Sequence, residues 1–196
     1  MSFYPKKINE RFYNLQNVES IEGANSGGTG ASFTCGSYVK LYLFIDNETK
    51  EIKNAQFKSN GCGFALAAAD VLTENLKGKR LNDLHGANND ELIQNIEAEL
   101  GIFEASRRHC LELCLDALHK ALKNFRLLQI EEFQGEKALI CTCFGVEEET
   151  IERLIAEENA ESVEEIGKLC NAGTGCGSCQ FLIQELIDVF QLENSY

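Results

Sequence analysis

Four of the nine cysteines in this 196-residue chain fall into two tight pairs. Cys141 and Cys143 form C-x-C, and Cys176 and Cys179 form C-x-x-C, with thirty-two residues between the pairs. Nine is odd, so complete disulfide pairing is impossible, and in a reducing compartment thiols mostly stay unpaired. The count points instead to metal binding or thiol chemistry. Two close pairs drawn together by a short fold supply four thiolates, enough to enclose a metal centre. Structural zinc sites usually join C-x2-4-C to C-x2-4-C. A C-x-C half is tight for one tetrahedral zinc, but it can hold one iron of a [2Fe–2S] pair. Spacing therefore leans toward iron–sulfur and leaves zinc open. Glycines on both sides of Cys176 let the backbone approach a metal closely. The helix that begins beyond Cys179 turns its N-terminal N–H groups toward an anionic cluster. Cys170 ends a different helix and reads as a small apolar core residue.

Charge divides the chain in the same place. Residues 1–130 carry 15 basic and 16 acidic side chains, whereas 131–196 carry 3 basic and 15 acidic, a net of −12. Two units are expected. The acidic half would be repelled by phosphate backbones, which argues against nucleic acid and suits a partner with a basic surface. No apolar run approaches the length of a membrane span. The N-terminal stretch MSFYPKKINERFYN has no apolar core of a secretory signal, so a cytoplasmic location is expected.

The element pattern is α+β. PKKINERFYNL reads as a short helix, and the Gly-, Ser- and Asn-rich NVESIEGANSGGTGASFT as a flexible loop. SYVKLYLFID alternates, with Val39, Leu41 and Leu43 on one face and Tyr38, Lys40 and Tyr42 on the other. EIKNAQFKS completes a hairpin across DNETK. FALAAADVLTENLKGK, NDELIQNIEAEL and RRHCLELCLDALHKALKNF read as helices, the last with Leu111, Leu115, Leu118 and Leu122 at helical spacing. Residues 129–137 form the candidate linker between a domain at 1–128 and one at 138–196. In the second, ICTCFG is a compact turn, VEEETIERLIAEE and SVEEIGKLC are helices, and QFLIQELIDVFQL is the last helix. Ser162 and Glu165 stand at capping-box spacing.

Three further cysteines lie in the first unit, each beside an element end or a glycine. Cys35 precedes a strand, Cys62 sits between two glycines ahead of a helix, and Cys110 follows His109. Three thiols and an imidazole would make an incomplete or labile metal site. Three isolated core cysteines fit the same spacing. Cys114, one helical turn beyond Cys110, reads as core-facing. His85 and His119 have no partner motif and read as ordinary histidines. No phosphate loop or Ser/His/Asp set is visible.

Two resemblances sharpen these readings. The stretch CTCFGVEEETIERLI…ESVEEIGKLCNAGTGCGSC resembles the bacterioferritin-associated-ferredoxin type of [2Fe–2S] domain over about 140–190. That resemblance implies Cys141, Cys143, Cys176 and Cys179 as ligands of a permanent [2Fe–2S] cluster. The stretch YVKLYLFIDNETKEIKNAQFKSNGCGFALAAADVLTENLKGK…HCLELCLDALHKALKNF resembles the IscU-type iron–sulfur assembly scaffold over roughly 6–126. It implies a small antiparallel sheet packed by helices. It also implies a transient cluster, or iron or zinc, on Cys35, Cys62 and Cys110, with His109 an additional or alternative ligand. The order of the two domains is similar to that of NifU-type proteins, without their usual third, C-terminal domain.

The resemblance implies a scaffold rather than an enzyme. It would take sulfur from a NifS/IscS-like cysteine desulfurase and pass clusters to apo iron–sulfur proteins. An electron donor and a homodimer are further implied. The competing readings are a ferredoxin-like electron carrier and a zinc-binding regulator. Two departures stand out. Ser37 occupies the position of the family's Asp, which is associated with a labile cluster. FEASRRHC lacks the prolines of the Leu-Pro-Pro-Val-Lys chaperone-recognition stretch, although Arg107 keeps a positive charge where the lysine would be.

Overall fold

The structure, a computed structural model, describes residues 3–84, 89–133 and 138–193. It divides into two compact units: Met1–Asp46, Glu51–Lys79 and Gly86–Phe125 in the first, and Asn47–Lys50, Arg80–His85 and Arg126–Tyr196 in the second.

The first unit is α+β. After α1 (Lys6–Tyr13) come β1 (Ser26–Ala31), β2 (Tyr38–Ile45) and β3 (Ile52–Ser59). They form an antiparallel sheet in the order β1-β2-β3. The alternation in β2 is realised: Val39, Leu41 and Leu43 are wholly buried, while Tyr38 and Lys40 face outward. Register sets Leu41 beside Phe57 and Leu43 beside Ala55, so β3 extends the same apolar face.

β1 departs from the sequence reading. Residues 26–31 were expected to lie in a flexible loop, yet they pair with β2, Gly28 beside Leu41 and Gly30 beside Val39. The cause is tertiary. A Cβ on Gly28 would stand 2.2 Å from the Ala121 amide nitrogen and 2.3 Å from the Ala117 carbonyl oxygen, and one on Gly30 would stand 2.2 Å from the Leu113 carbonyl oxygen. A helix backbone lies directly on this strand, and only a residue without a side chain permits that approach.

That helix is α5 (Arg108–Glu132), which follows α2 (Gly63–Leu76), α3 (Leu81–Leu84) and α4 (Asn89–Leu100). The Ser26 hydroxyl donates to the Ala121 carbonyl, and Asn124 Oδ1 accepts from the Gly27 N–H at 3.1 Å. Both bonds fix α5 along β1. Its buried face carries Leu111, Cys114, Leu115 and Leu118. Cys114 Sγ reaches the Ala65 carbonyl of α2 at 3.8 Å, so the two helices share the core over the sheet. The alanines at 65, 67, 68 and 69 are all buried, which explains why α2 is so rich in them.

One charge is locked inside this packing. Asp70 is wholly buried and accepts from Arg11 Nε and from the Gln16 and Asn17 N–H groups, at 3.0 and 2.8 Å, fastening α1 and its following loop to α2. α5 continues without a break to Glu132 and so extends into the first residues of the expected linker. His85 and linker residues 134–137 lie outside the described residues.

The second unit is small and mainly helical. Two short strands, β4 (Leu139–Cys141) and β5 (Val146–Glu147), form a hairpin where a compact turn was expected. α6 (Glu148–Glu158), α7 (Val163–Cys170) and α8 (Gln180–Glu193) follow. Ile151, Ile155, Ile166, Ile183 and Ile187 are buried together with Cys141, Cys143 and Cys179. Half of the expected capping box is present: Ser162 Oγ accepts from the Glu165 N–H at 3.3 Å, while the Glu165 carboxylate accepts at 2.8 Å from the N–H of Glu161, one residue before the cap. Among the described residues, no helix is long and apolar enough to cross a membrane.

Candidate functional site

The second unit brings both of its cysteine motifs to one cavity of about 240 Å³. Cys141 ends β4 and Cys143 follows within the hairpin turn, while Cys179 immediately precedes α8. Gly175 makes the meeting possible. A Cβ there would stand 2.8 Å from the Cys143 Cβ and 3.1 Å from its sulfur. Gly177 serves differently, turning the chain at φ +77° between Cys176 and Cys179.

Close contacts join one thiol from each motif. Cys179 hydrogen-bonds to Cys141 and Cys143 to Cys176, and these bonds lower the pKa of Cys141 and Cys176 and raise that of their partners. Cys176 also has side-chain donors that are not cysteines. Arg126 Nη2 lies 3.1 Å from its sulfur and 2.7 Å from Ser178 Oγ, and Ser178 Oγ lies 3.1 Å from the same sulfur. Neither Arg126 nor Ser178 was singled out by sequence. Ser178 sits inside G-C-G-S-C, but Arg126 stands fifty residues upstream, with no local signal. Cys170 is half-buried, with its S–H directed at the Ile166 carbonyl at 3.2 Å and its thiol pushed up by burial.

Among the described residues, no three Cys, His, Asp or Glu groups converge tightly enough to hold a single ion. Two cross-motif thiol pairs around one cavity are the donor set that a two-iron centre needs, with all-thiolate ligation.

In the first unit, two elements bring their cysteines into contact, and Cys35 stands near enough for its charge to raise the Cys110 thiol. Cys62 occupies the N-cap position of α2 without a side-chain capping bond, and Cys110 stands in the first turn of α5. Their sulfurs are 3.9 Å apart, and His109 Nε2 is 3.5 Å from Cys110 Sγ. Cys62 keeps its place because its neighbours are glycines. A Cβ on Gly63 would strike the Tyr4 ring at 2.7 Å, and one on Gly61 would strike the Ala65 Cβ at 2.7 Å.

Cys35 comes from a tight turn. The Ser32 N–H donates to the Ser37 carbonyl at 2.8 Å, the Gly36 N–H donates to the Ser32 carbonyl at 2.9 Å, and Gly36 adopts φ +69°. This turn leaves Cys35 exposed and surrounded by donors. The Ser32 hydroxyl and then the Ser37 hydroxyl hydrogen-bond its sulfur and lower its pKa to about 7. Cys110 shows the opposite behaviour: burial, and then the neighbouring Cys62, push it up to about 12. Arg107, whose guanidinium lies 5.3 Å from the Phe64 ring centroid, opposes that rise. Cys114 is wholly buried and its thiol is pushed far up, as expected of a core residue. His119 is exposed.

A family model described as the NifU-like N terminal domain matches residues 3–132, and one described as the BFD-like [2Fe-2S] binding domain matches residues 139–188. The nitrogen fixation protein NifU of Azotobacter chroococcum mcd 1 is 32% identical over 184 residues, covering 94% of this chain and 58% of the relative. The iron-sulfur cluster assembly scaffold protein IscU of Aquifex aeolicus is 32% identical over 150 residues, 76% of this chain and 92% of the relative. The chain therefore spans only about three fifths of the length of its NifU relatives. A crystal structure of a NifU-like protein (N-terminal) from Brucella abortus matches 63% of this chain and 94% of its own, at 20% identity and a TM-score of 0.53. That likeness supports the fold of the first unit.

Proposed function

The chain belongs to the family of NifU-like N-terminal domains and carries a BFD-like [2Fe-2S] binding domain. From that premise we propose that it is a scaffold for iron–sulfur cluster assembly. Its cargo is a transient cluster held on Cys35, Cys62 and Cys110, with His109 as an additional or alternative ligand. Cys141, Cys143, Cys176 and Cys179 hold a resident [2Fe–2S] group. The observation that carries this reading is the meeting of Cys62 and Cys110 from two distant segments, with Cys35 near enough for its charge to act on Cys110. Cys62 and Cys110 approach to 3.9 Å with the His109 imidazole beside them, and Cys35 is a hydrogen-bonded thiol on an exposed turn.

The three thiols differ in ways that suit loading and release. Cys35 is accessible and its sulfur receives two hydroxyl donors, so it meets incoming sulfur or iron as a thiolate. Cys110 holds its proton until a metal displaces it, because burial and Cys62 disfavour its charge. Sulfur arrives from a cysteine desulfurase as a persulfide. The thiolate attacks the terminal sulfur, a new S–S bond forms, and the donor leaves as its own thiolate. Conversion of that persulfide to sulfide consumes two electrons and one proton and regenerates the thiolate. The electrons come from an external donor. The resident group, when bound, supplies one-electron redox chemistry. Ser37 offers Cys35 a hydroxyl where a carboxylate would offer a metal ligand, and so slows release of the finished cluster.

The test compares the full chain with the Cys35→Ala/Cys62→Ala/Cys110→Ala variant under anaerobic conditions, supplied with desulfurase, iron and cysteine. A second, chelator-sensitive cluster should form on the wild type only, measured as acid-labile sulfide beyond that of the resident centre. Equal loading of the two proteins would overturn the scaffold reading.

A further inference from the structure

The second unit's four thiols are not equivalent. Cys141, Cys143 and Cys179 are buried, and their sulfurs meet one another, Cys176 and backbone N–H groups such as those of Gly173 and Phe144. Cys176 is half-buried and also meets the Arg126 guanidinium, which lies outside both cysteine motifs, and the hydroxyl of Ser178 within its own motif. The geometry orders the protons. Arginine can only donate, so at 2.7 Å its N–H points at Ser178 Oγ, and that leaves the serine's own proton free for the sulfur 3.1 Å away. A second contact from Arg126 Nη2 reaches the sulfur directly at 3.1 Å. One sulfur thus receives two donors, one of them a full positive charge, beside a segment with a net charge of −12 over residues 131–196.

From this we propose that Arg126 is a positioning residue that sets the redox poise of the centre in the second unit. Acting with Ser178, it favours the reduced state and directs the added electron toward the Cys176 side. The inference rests on the reading that these four thiols hold a [2Fe–2S] group. Hydrogen bonds to ligand sulfurs and local net charge are the two protein levers that shift such potentials, and Arg126 supplies both. A charge at about 6 Å, under an effective dielectric of about 40, is worth roughly a tenfold change in a one-electron equilibrium, or about 59 mV.

The experiment is an anaerobic redox titration of the full-length protein carrying its [2Fe–2S] group, followed by EPR. It compares wild type, Arg126→Ala, Arg126→Lys and Ser178→Ala, with acid-labile sulfide measured in every sample. Arg126→Ala should lower the reduction equilibrium roughly tenfold and alter the g-values of the reduced centre. Arg126→Lys should recover most of the shift through its charge. Ser178→Ala should move the equilibrium the same way, by less. If Arg126→Ala lowers cluster content, the lysine and serine variants decide. Unchanged equilibria in variants that hold the cluster would overturn the proposal and leave the scaffold reading intact. A wild type that holds no [2Fe–2S] in this unit would overturn both.

Discussion

The hydroxyl donors around Cys35 make its reactivity a direct measure of the turn that carries it. In the metal-free protein its pKa is about 7, against an ordinary 9.0, because the hydroxyls of Ser32 and Ser37 hydrogen-bond the thiolate. The sign is that of a depressed acid: thiolate is abundant above about pH 7 and is lost as the pH falls through that value. At pH 7 about half of Cys35 is thiolate, whereas an ordinary thiol would be about 1% ionised, a gain of about fiftyfold. Nucleophilicity falls with pKa by a factor of about 2.5–3 per unit, which returns about six- to tenfold over two units. The net expectation at pH 7 is alkylation about five- to eightfold faster than that of an ordinary thiol. The assay is the rate of iodoacetamide modification of Cys35 as a function of pH, read by peptide mass spectrometry. The midpoint should lie near pH 7 in the wild type and move up toward 9 in Ser32→Ala/Ser37→Ala. A wild-type midpoint near 9, or one that the double substitution leaves in place, would refute the argument.

Two further outcomes follow from the same geometry. Ser37→Asp exchanges a hydroxyl donor for a carboxylate beside Cys35, and cluster transfer to an apo-ferredoxin should speed up; an unchanged or slower rate means that Ser37 is not the brake. Gly28→Ala sets a Cβ 2.2 Å from the α5 backbone, so the helix must retreat by about 1 Å at a cost of about 1–3 kcal/mol, seen as a lower urea midpoint; an unchanged midpoint would contradict the close packing of β1 on α5.

What could be read without coordinates was whatever sequence neighbours decide among themselves. The alternation of Val39, Leu41 and Leu43 depends only on the strand period, and the Ser162 cap needs only a residue three positions on. The paired cysteine motifs are likewise local. The failure at β1 has a physical cause. Gly-rich segments have weak strand propensity, and residues 26–31 form a strand only because α5, some ninety residues later, requires bare backbone at Gly28 and Gly30. The signal that could have revealed it is glycine at alternate positions, matched by small Ala117 and Ala121 on the helix. The contacts of Arg126 with Cys176 and Ser178 span fifty residues and leave no periodic trace. At Cys35 the donors were in plain view on both sides, but their action depends on a turn that brings Ser32 back to Ser37.

The 3.9 Å separation of Cys62 and Cys110 has a cost in air. A disulfide needs its sulfurs about 2 Å apart, so a small approach and the loss of two electrons to an oxidant would couple this pair and withdraw two of the three proposed cargo ligands. The exposed, low-pKa Cys35 would be the first site of peroxide attack, forming a sulfenic acid that condenses with a neighbouring thiol. On the proposed scaffold reading, the empty site would be its own most oxygen-sensitive state, and occupancy by metal would protect it. Keeping the site loaded, or keeping a thiol reductant at hand, is therefore part of keeping the protein competent.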